Sequence, residues 1–183
     1  MSKSLIVVLV IGLTLGLCTC GAVMGVKNTC VVQTNAIQAQ YDGNKVSLAG
    51  YTNKIMDMVQ VPAMAKNHIK ELTVAAIQGR YGADGAKAVF QAVNEQNPTV
   101  DPGLYRSLMA AMEAGRNGFD ADQKSLLDKC RVHSTYVESA PQNFLVGFLG
   151  YPHADLADKC KPVTTEQTEQ DFRNHTTGPL KLN

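Results

Sequence analysis

The stretch Leu5 to Val26, LIVVLVIGLTLGLCTCGAVMGV, contains no charged residue and is almost wholly apolar. At a rise of about 1.5 Å per residue, a helix of this length spans roughly the 30 Å hydrocarbon core of a bilayer. A secretory signal has a shorter apolar core closed by small residues. Here Cys18, Thr19, Cys20, Gly21 and Ala22 lie inside the run instead of ending it. A lipoprotein signal needs a small residue before the modified cysteine, whereas Leu17 precedes Cys18 and Thr19 precedes Cys20. The expectation is a single-pass membrane protein whose lipid partner is met through Leu5 to Val26. Lys3 on one side and Lys27 and Lys45 on the other nearly balance, so the positive-inside rule does not choose an orientation.

Beyond this anchor (residues 1–27) about 155 residues remain, enough for one ordinary core. Seventeen basic and sixteen acidic residues leave a formal charge of +1, which argues against nucleic-acid binding driven by phosphate neutralisation. Trp is absent, and Ala, Gln, Lys, Leu and Met are plentiful, a composition that favours helix over sheet. The expected fold class is all-α: an N-terminal transmembrane helix followed by an antiparallel bundle of long helices over residues 28–160, then a polar, poorly packed tail over 161–183.

The periodicity supports this. Ile37, Tyr41, Leu48, Thr52, Ile55 and Val59 recur at helical spacings before Pro62, so a long amphipathic helix should continue out of the membrane. Gly43 and Gly50 weaken it, and a kink is expected near Asp42-Gly43. A second helix should start at Pro62 and run through Gln78, ending in the loop Gly79 to Gly85, and a short one should cover Ala86 to Glu95. After Asp101-Pro102, the positions Tyr105, Leu108, Met109, Met112, Arg116, Phe119, Gln123, Leu126, Cys130, His133 and Val137 keep steps of three and four almost to Pro141, which predicts one helix of some ten turns. Phe144 to Tyr151 is too short to cross a membrane and should cap the bundle.

The chemistry-bearing residues form no convincing constellation. Cys130, His133, His153 and Cys160 supply zinc-type ligands, but the second pair is too widely spaced for a tight chelate, so no metal site is assigned. Cys130 and Cys160 pair as a disulfide in an oxidising compartment or stay reduced elsewhere, and both readings stand. Asp120-Ala121-Asp122 begins like a calcium loop, yet Ser125 replaces the turning glycine and Arg131 the bidentate glutamate. His133 and Ser134 are helix neighbours that cannot face each other, so they make no catalytic pair. The Gly79 to Gly85 loop lacks the Lys-Ser or Lys-Thr of a phosphate loop. Glu113 and Arg116, three apart, suit a helix-surface ion pair. Asn174-His175-Thr176 has the form of a glycosylation acceptor, meaningful only in a pathway that glycosylates. No catalytic residue, cofactor or metal is expected.

The block Met112-Glu113-Ala114-Gly115-Arg116-Asn117-Gly118-Phe119, followed by Tyr136, Pro141 and Val146 to Tyr151, resembles the LemA family, with its sharp part between Glu113 and Tyr151. Where many members carry a Trp and a Pro-Asn pair in the first long helix, this chain has Tyr41 and Tyr51 to Val59. The resemblance implies a membrane helix and a soluble bundle of long antiparallel helices. It implies no known activity, only a scaffold, adaptor or membrane-organising role. With heptad-like faces of coiled-coil character, the expected partners are an unidentified protein or a second copy of the chain. Gly12-x-x-x-Gly16 and Gly21-x-x-x-Gly25 would let membrane helices approach closely. The competing reading is a lipid-anchored or secreted helical protein with a ligand cavity.

Overall fold

A computed structural model describes residues 3–59, 63–79, 84–98, 102–149, 154–164 and 166–174. All regular structure among them is helical, and no strand occurs. The helices are α1 (Lys3–Val59), α2 (Ala63–Ile77), α3 (Gly85–Gln96), α4 (Pro102–Glu138), α5 (Gln142–Leu149), α6 (Ala154–Lys159) and α7 (Glu166–Asn174).

The described chain divides into two compact units, Met1–Gln40 with Leu126–Lys161, and Tyr41–Ser125 with Pro162–Asn183. Helices α1 and α4 each contribute a segment to both.

α1 is one unbroken helix that runs through Asp42-Gly43 without a break. A glycine costs a helix about 1 kcal/mol relative to alanine without forbidding it, and Gly43 and Gly50 both lie inside the helix. α4 covers the predicted ten turns, and its buried positions Leu108, Met112, Phe119, Leu126, Cys130, His133 and Val137 belong to the predicted stripe. On α1, Ile37, Thr52, Ile55 and Val59 are likewise buried.

In the second unit, Ile55, Ile69, Val89, Leu108, Met112 and Phe119 form the centre of one apolar core. Each buried aliphatic side chain contributes about 1.5 to 3 kcal/mol through its removal from water. Two polar groups are accommodated locally: the hydroxyls of Thr52 and Thr73 donate to the carbonyls of Leu48 and Ile69 one turn back, at 2.8 and 2.7 Å. Asn44 Nδ2 donates to the Asp122 carbonyl at 3.0 Å and so ties α1 to α4. α2 packs on α3 at a close approach where a Cβ at Gly85 would stand 2.9 Å from Ala76 Cβ. Gly79 ends α2 with φ +82°, its N–H donating to the Ala76 carbonyl at 3.1 Å. This left-handed closure is the usual glycine stop for a helix. Phe90 of α3 meets Tyr105 of α4 edge to face, with ring centroids 5.0 Å apart.

In the first unit, Val26 and Cys30 of α1 cluster with Val137 of α4 and Val146 of α5, with Tyr136 and Leu145 against them. Between α4 and α5 the chain turns through a cis Ala140–Pro141 peptide. The sequence reading missed α6 and α7. α7 lies inside the segment expected to be a polar, poorly packed tail, and its Phe172 is exposed. Pro62, most of the Gly79 to Gly85 loop, Gly150, Tyr151, His153 and the last nine residues lie outside the described residues.

Candidate functional site

The most distinctive surface is the N-terminal part of α1, the one helix among the described residues that is long and apolar enough to cross a membrane. Its side chains face outward: Leu13 is 69% and Leu17 67% exposed, although both are aliphatic. The two hydroxyls in the run are satisfied within the helix. Thr14 donates to the carbonyls of Val10 and Ile11 at 3.0 and 2.9 Å, and Thr19 to those of Leu15 and Gly16 at 3.1 and 3.0 Å. In a solvent without hydrogen-bonding capacity, such back-bonding is how a hydroxyl avoids its desolvation cost.

The second feature is covalent. Cys130 and Cys160 are joined by a disulfide across 30 residues of sequence, linking the interior of α4 to the residue that follows α6. Of the two readings the sequence left open, the structure selects the bridge. The set Cys130, His133, His153 and Cys160 therefore has no thiolates to offer a metal, and His153 lies outside the described residues. No group of three or more His, Cys, Asp or Glu side chains suited to a metal occurs among the described residues. His133 is buried, with Nδ1 3.0 Å from Gln33 Oε1 of α1. The nitrogen donates to the amide oxygen, which fixes the ring against α1. Gln33 was not singled out in the sequence, because a polar residue on a boundary position carries no periodic signal. Cys18, Cys20 and Cys30 are free thiols, and burial pushes the Cys30 thiol above its ordinary pKa.

The remaining candidates fall apart as catalytic groups. Ser134 donates to Glu138 Oε1 at 2.6 Å and points away from any role with His133. Asp120, Ala121 and Asp122 are interior residues of α4, not a loop. Glu113, Arg116, Asn117 and Asp120 edge a groove of about 320 Å³ in the second unit, floored by Ala76 and Met112. A groove of about 500 Å³ in the first unit runs beside His133, Val137 and Leu156. Both open to solvent along their length. Asp128–Arg131 and Asp158–Lys161 are exposed pairs at 2.7 Å, and the Lys161 ammonium holds the Asp158 carboxyl below its usual range. Such pairs add little to stability in water. Asn174 is the exposed last residue of α7, and the rest of its Asn-His-Thr motif lies outside the described residues.

α5 departs from the expectation that it simply caps the bundle. Leu145 and Val146 do pack inward, but Phe144 and Phe148 face outward. Their spacing of four was the signal available in the sequence.

No protein-family model matches the chain, and neither curated proteins nor solved structures give a match.

Proposed function

We propose that this chain is a non-enzymatic, single-pass membrane protein of the LemA type, acting as a scaffold, adaptor or membrane-organising protein. The observation that carries the reading is the continuity of α1: an outward-facing apolar run leads without interruption into turns that enter a buried core. A helix built this way couples a folded body rigidly to a bilayer. Gly115 and Gly118, within the Met112 to Phe119 part of the LemA resemblance, lie at a tight contact with Tyr51 of α1, which gives these two glycines a packing purpose. In the second unit, Asn44 meets Asp122 and the later Tyr51 meets the earlier Gly118, a descending order that supports antiparallel α1 and α4.

The Cys130–Cys160 bridge supports placing the folded part in an oxidising compartment, because cytosolic thiols are kept reduced. Cofactors and nucleic acid have no part in this proposal. Its partners are the lipid bilayer, a second copy of the chain and an unidentified protein.

Crosslinking the full chain in detergent tests the scaffold role. A crosslinked homo-oligomer, weakened when Gly12 and Gly16 or Gly21 and Gly25 are replaced by Leu, is the expected result. A strictly monomeric protein that crosslinks to nothing would contradict it.

A further inference from the structure

We propose that α5 is a second membrane contact: Phe144 and Phe148 insert into the boundary between headgroups and acyl chains of the same leaflet from which α1 emerges. This inference rests on the reading of α1 as a membrane anchor.

Height along α1 is the first argument. The apolar run ends at Val26, and the exposed Lys27 follows it. Val26 and Cys30, one turn on, are the residues of α1 that share a buried cluster with Val146 of α5 and Val137 of α4. α5 is therefore docked at the level where α1 leaves the hydrocarbon, and the nearest apolar medium for its outer face is the bilayer itself.

The two faces of α5 are the second argument. Leu145 and Val146 point into the cluster. Phe144 and Phe148, four apart and so on one face, are 77% and 83% exposed. A Cβ built on Gly147 between them meets nothing within 4 Å. Isolated exposed apolar residues are ordinary on a soluble surface. Two phenylalanines one turn apart, beside the mouth of an anchor, instead match the apolar face of an interfacial helix.

Chain connectivity supplies the third. The disulfide between Cys130 and Cys160 closes the segment that contains α5. α5 therefore lies within a covalently closed loop, while Leu145 and Val146 fix its inner face in the cluster. Gln142 to Leu149 carry no charge, so the contact is apolar and does not require anionic lipid.

The chain has no Trp, so single substitutions give an unambiguous fluorescent probe. Full-length Phe144→Trp, Phe148→Trp and, as a reference within the anchor, Leu13→Trp are reconstituted into phosphatidylcholine vesicles with acyl chains brominated either near the headgroup or near the bilayer centre. The expected result is a roughly twofold loss of emission at positions 144 and 148 with shallow bromine and a smaller loss with deep bromine, following interfacial depth. Leu13→Trp should show the opposite order. Emission at 144 and 148 that resists bromine but is open to aqueous iodide, while Leu13→Trp is quenched, overturns the inference and leaves the anchor standing. Emission resistant to both quenchers means that protein covers the face, which overturns it in favour of a second copy of the chain. If Leu13→Trp itself escapes bromine, the anchor reading fails and this inference falls with it.

Discussion

Tyr51 of α1 lies across Gly118 of α4 so closely that a Cβ on the glycine would run into the phenol, 2.5 Å from Cζ and 2.9 Å from Cε2. The same tyrosine's Cβ is 3.4 Å from where a Cβ on Gly115 would stand, so two glycines one turn apart make a slot for one aromatic side chain. Gly118→Ala should therefore destabilise the protein by about 1 to 2 kcal/mol, because overpacking outweighs the gain in helix propensity. In a Tyr51→Ala background the sign should reverse, to a gain of about 1 kcal/mol from propensity alone. Chemical denaturation of the four proteins of this cycle checks it, and equal effects of Gly118→Ala in both backgrounds would show that the slot carries no energy.

Gly43 and Gly50 make the opposite case. A Cβ on either meets nothing within 4 Å, and both sit inside an unbroken helix. Replacing each by Ala should stabilise by up to about 1 kcal/mol. Gly79→Ala should cost about 1 kcal/mol or more, since its φ of +82° is strained for any residue with a Cβ. Thermal melts of the three variants give the comparison directly.

Thiol chemistry offers an independent check. Non-reduced, denatured protein should present three free thiols, Cys18, Cys20 and Cys30, and two more after reduction. In the folded state Cys30 should alkylate slowly, because it is buried and its raised pKa leaves less thiolate at a given pH. Removing the bridge with Cys130→Ser and Cys160→Ser together should destabilise by about 2 to 4 kcal/mol, the range for a closed loop of this length. Five reactive thiols without reductant would contradict the bridge.

Much of the architecture was legible because it rests on periodicity. The stripe from Tyr105 to Val137 reads as a helix from spacing alone, and most of its residues prove buried, with Met109 exposed and Tyr105, Arg116 and Gln123 half-buried. Three features were not legible. The continuity of α1 through Gly43 depends on the stability of neighbouring turns, which a local glycine penalty does not measure. α6 and α7 are short and polar, and their apolar positions are too few to define a face. Whether Cys130 and Cys160 bond, the choice the sequence left open, depends on two chain segments meeting in space, which spacing along the chain does not encode. For the candidate site, the long apolar run of Leu5 to Val26 was plain in the sequence. The outward direction of Phe144 and Phe148 emerged only once Leu145 and Val146 were seen to face inward.

Together with the proposed membrane anchor, the bridge predicts a sidedness. Because Cys160 is oxidised, surface labelling needs an introduced thiol, and the exposed Lys124 provides the position. Lys124→Cys should react with a membrane-impermeant maleimide supplied from the oxidising side of the membrane, and not from the cytosolic side. Labelling only from the cytosolic side would place the folded part where a stable disulfide is not expected.

The most direct test of the central claim is the intact mass of the native protein extracted from alkali-washed membranes. The account predicts a membrane-retained chain that still contains Leu5 to Val26 and is two hydrogens lighter than its fully reduced form. A freely soluble molecule that has lost that run and carries no acyl chain would contradict it.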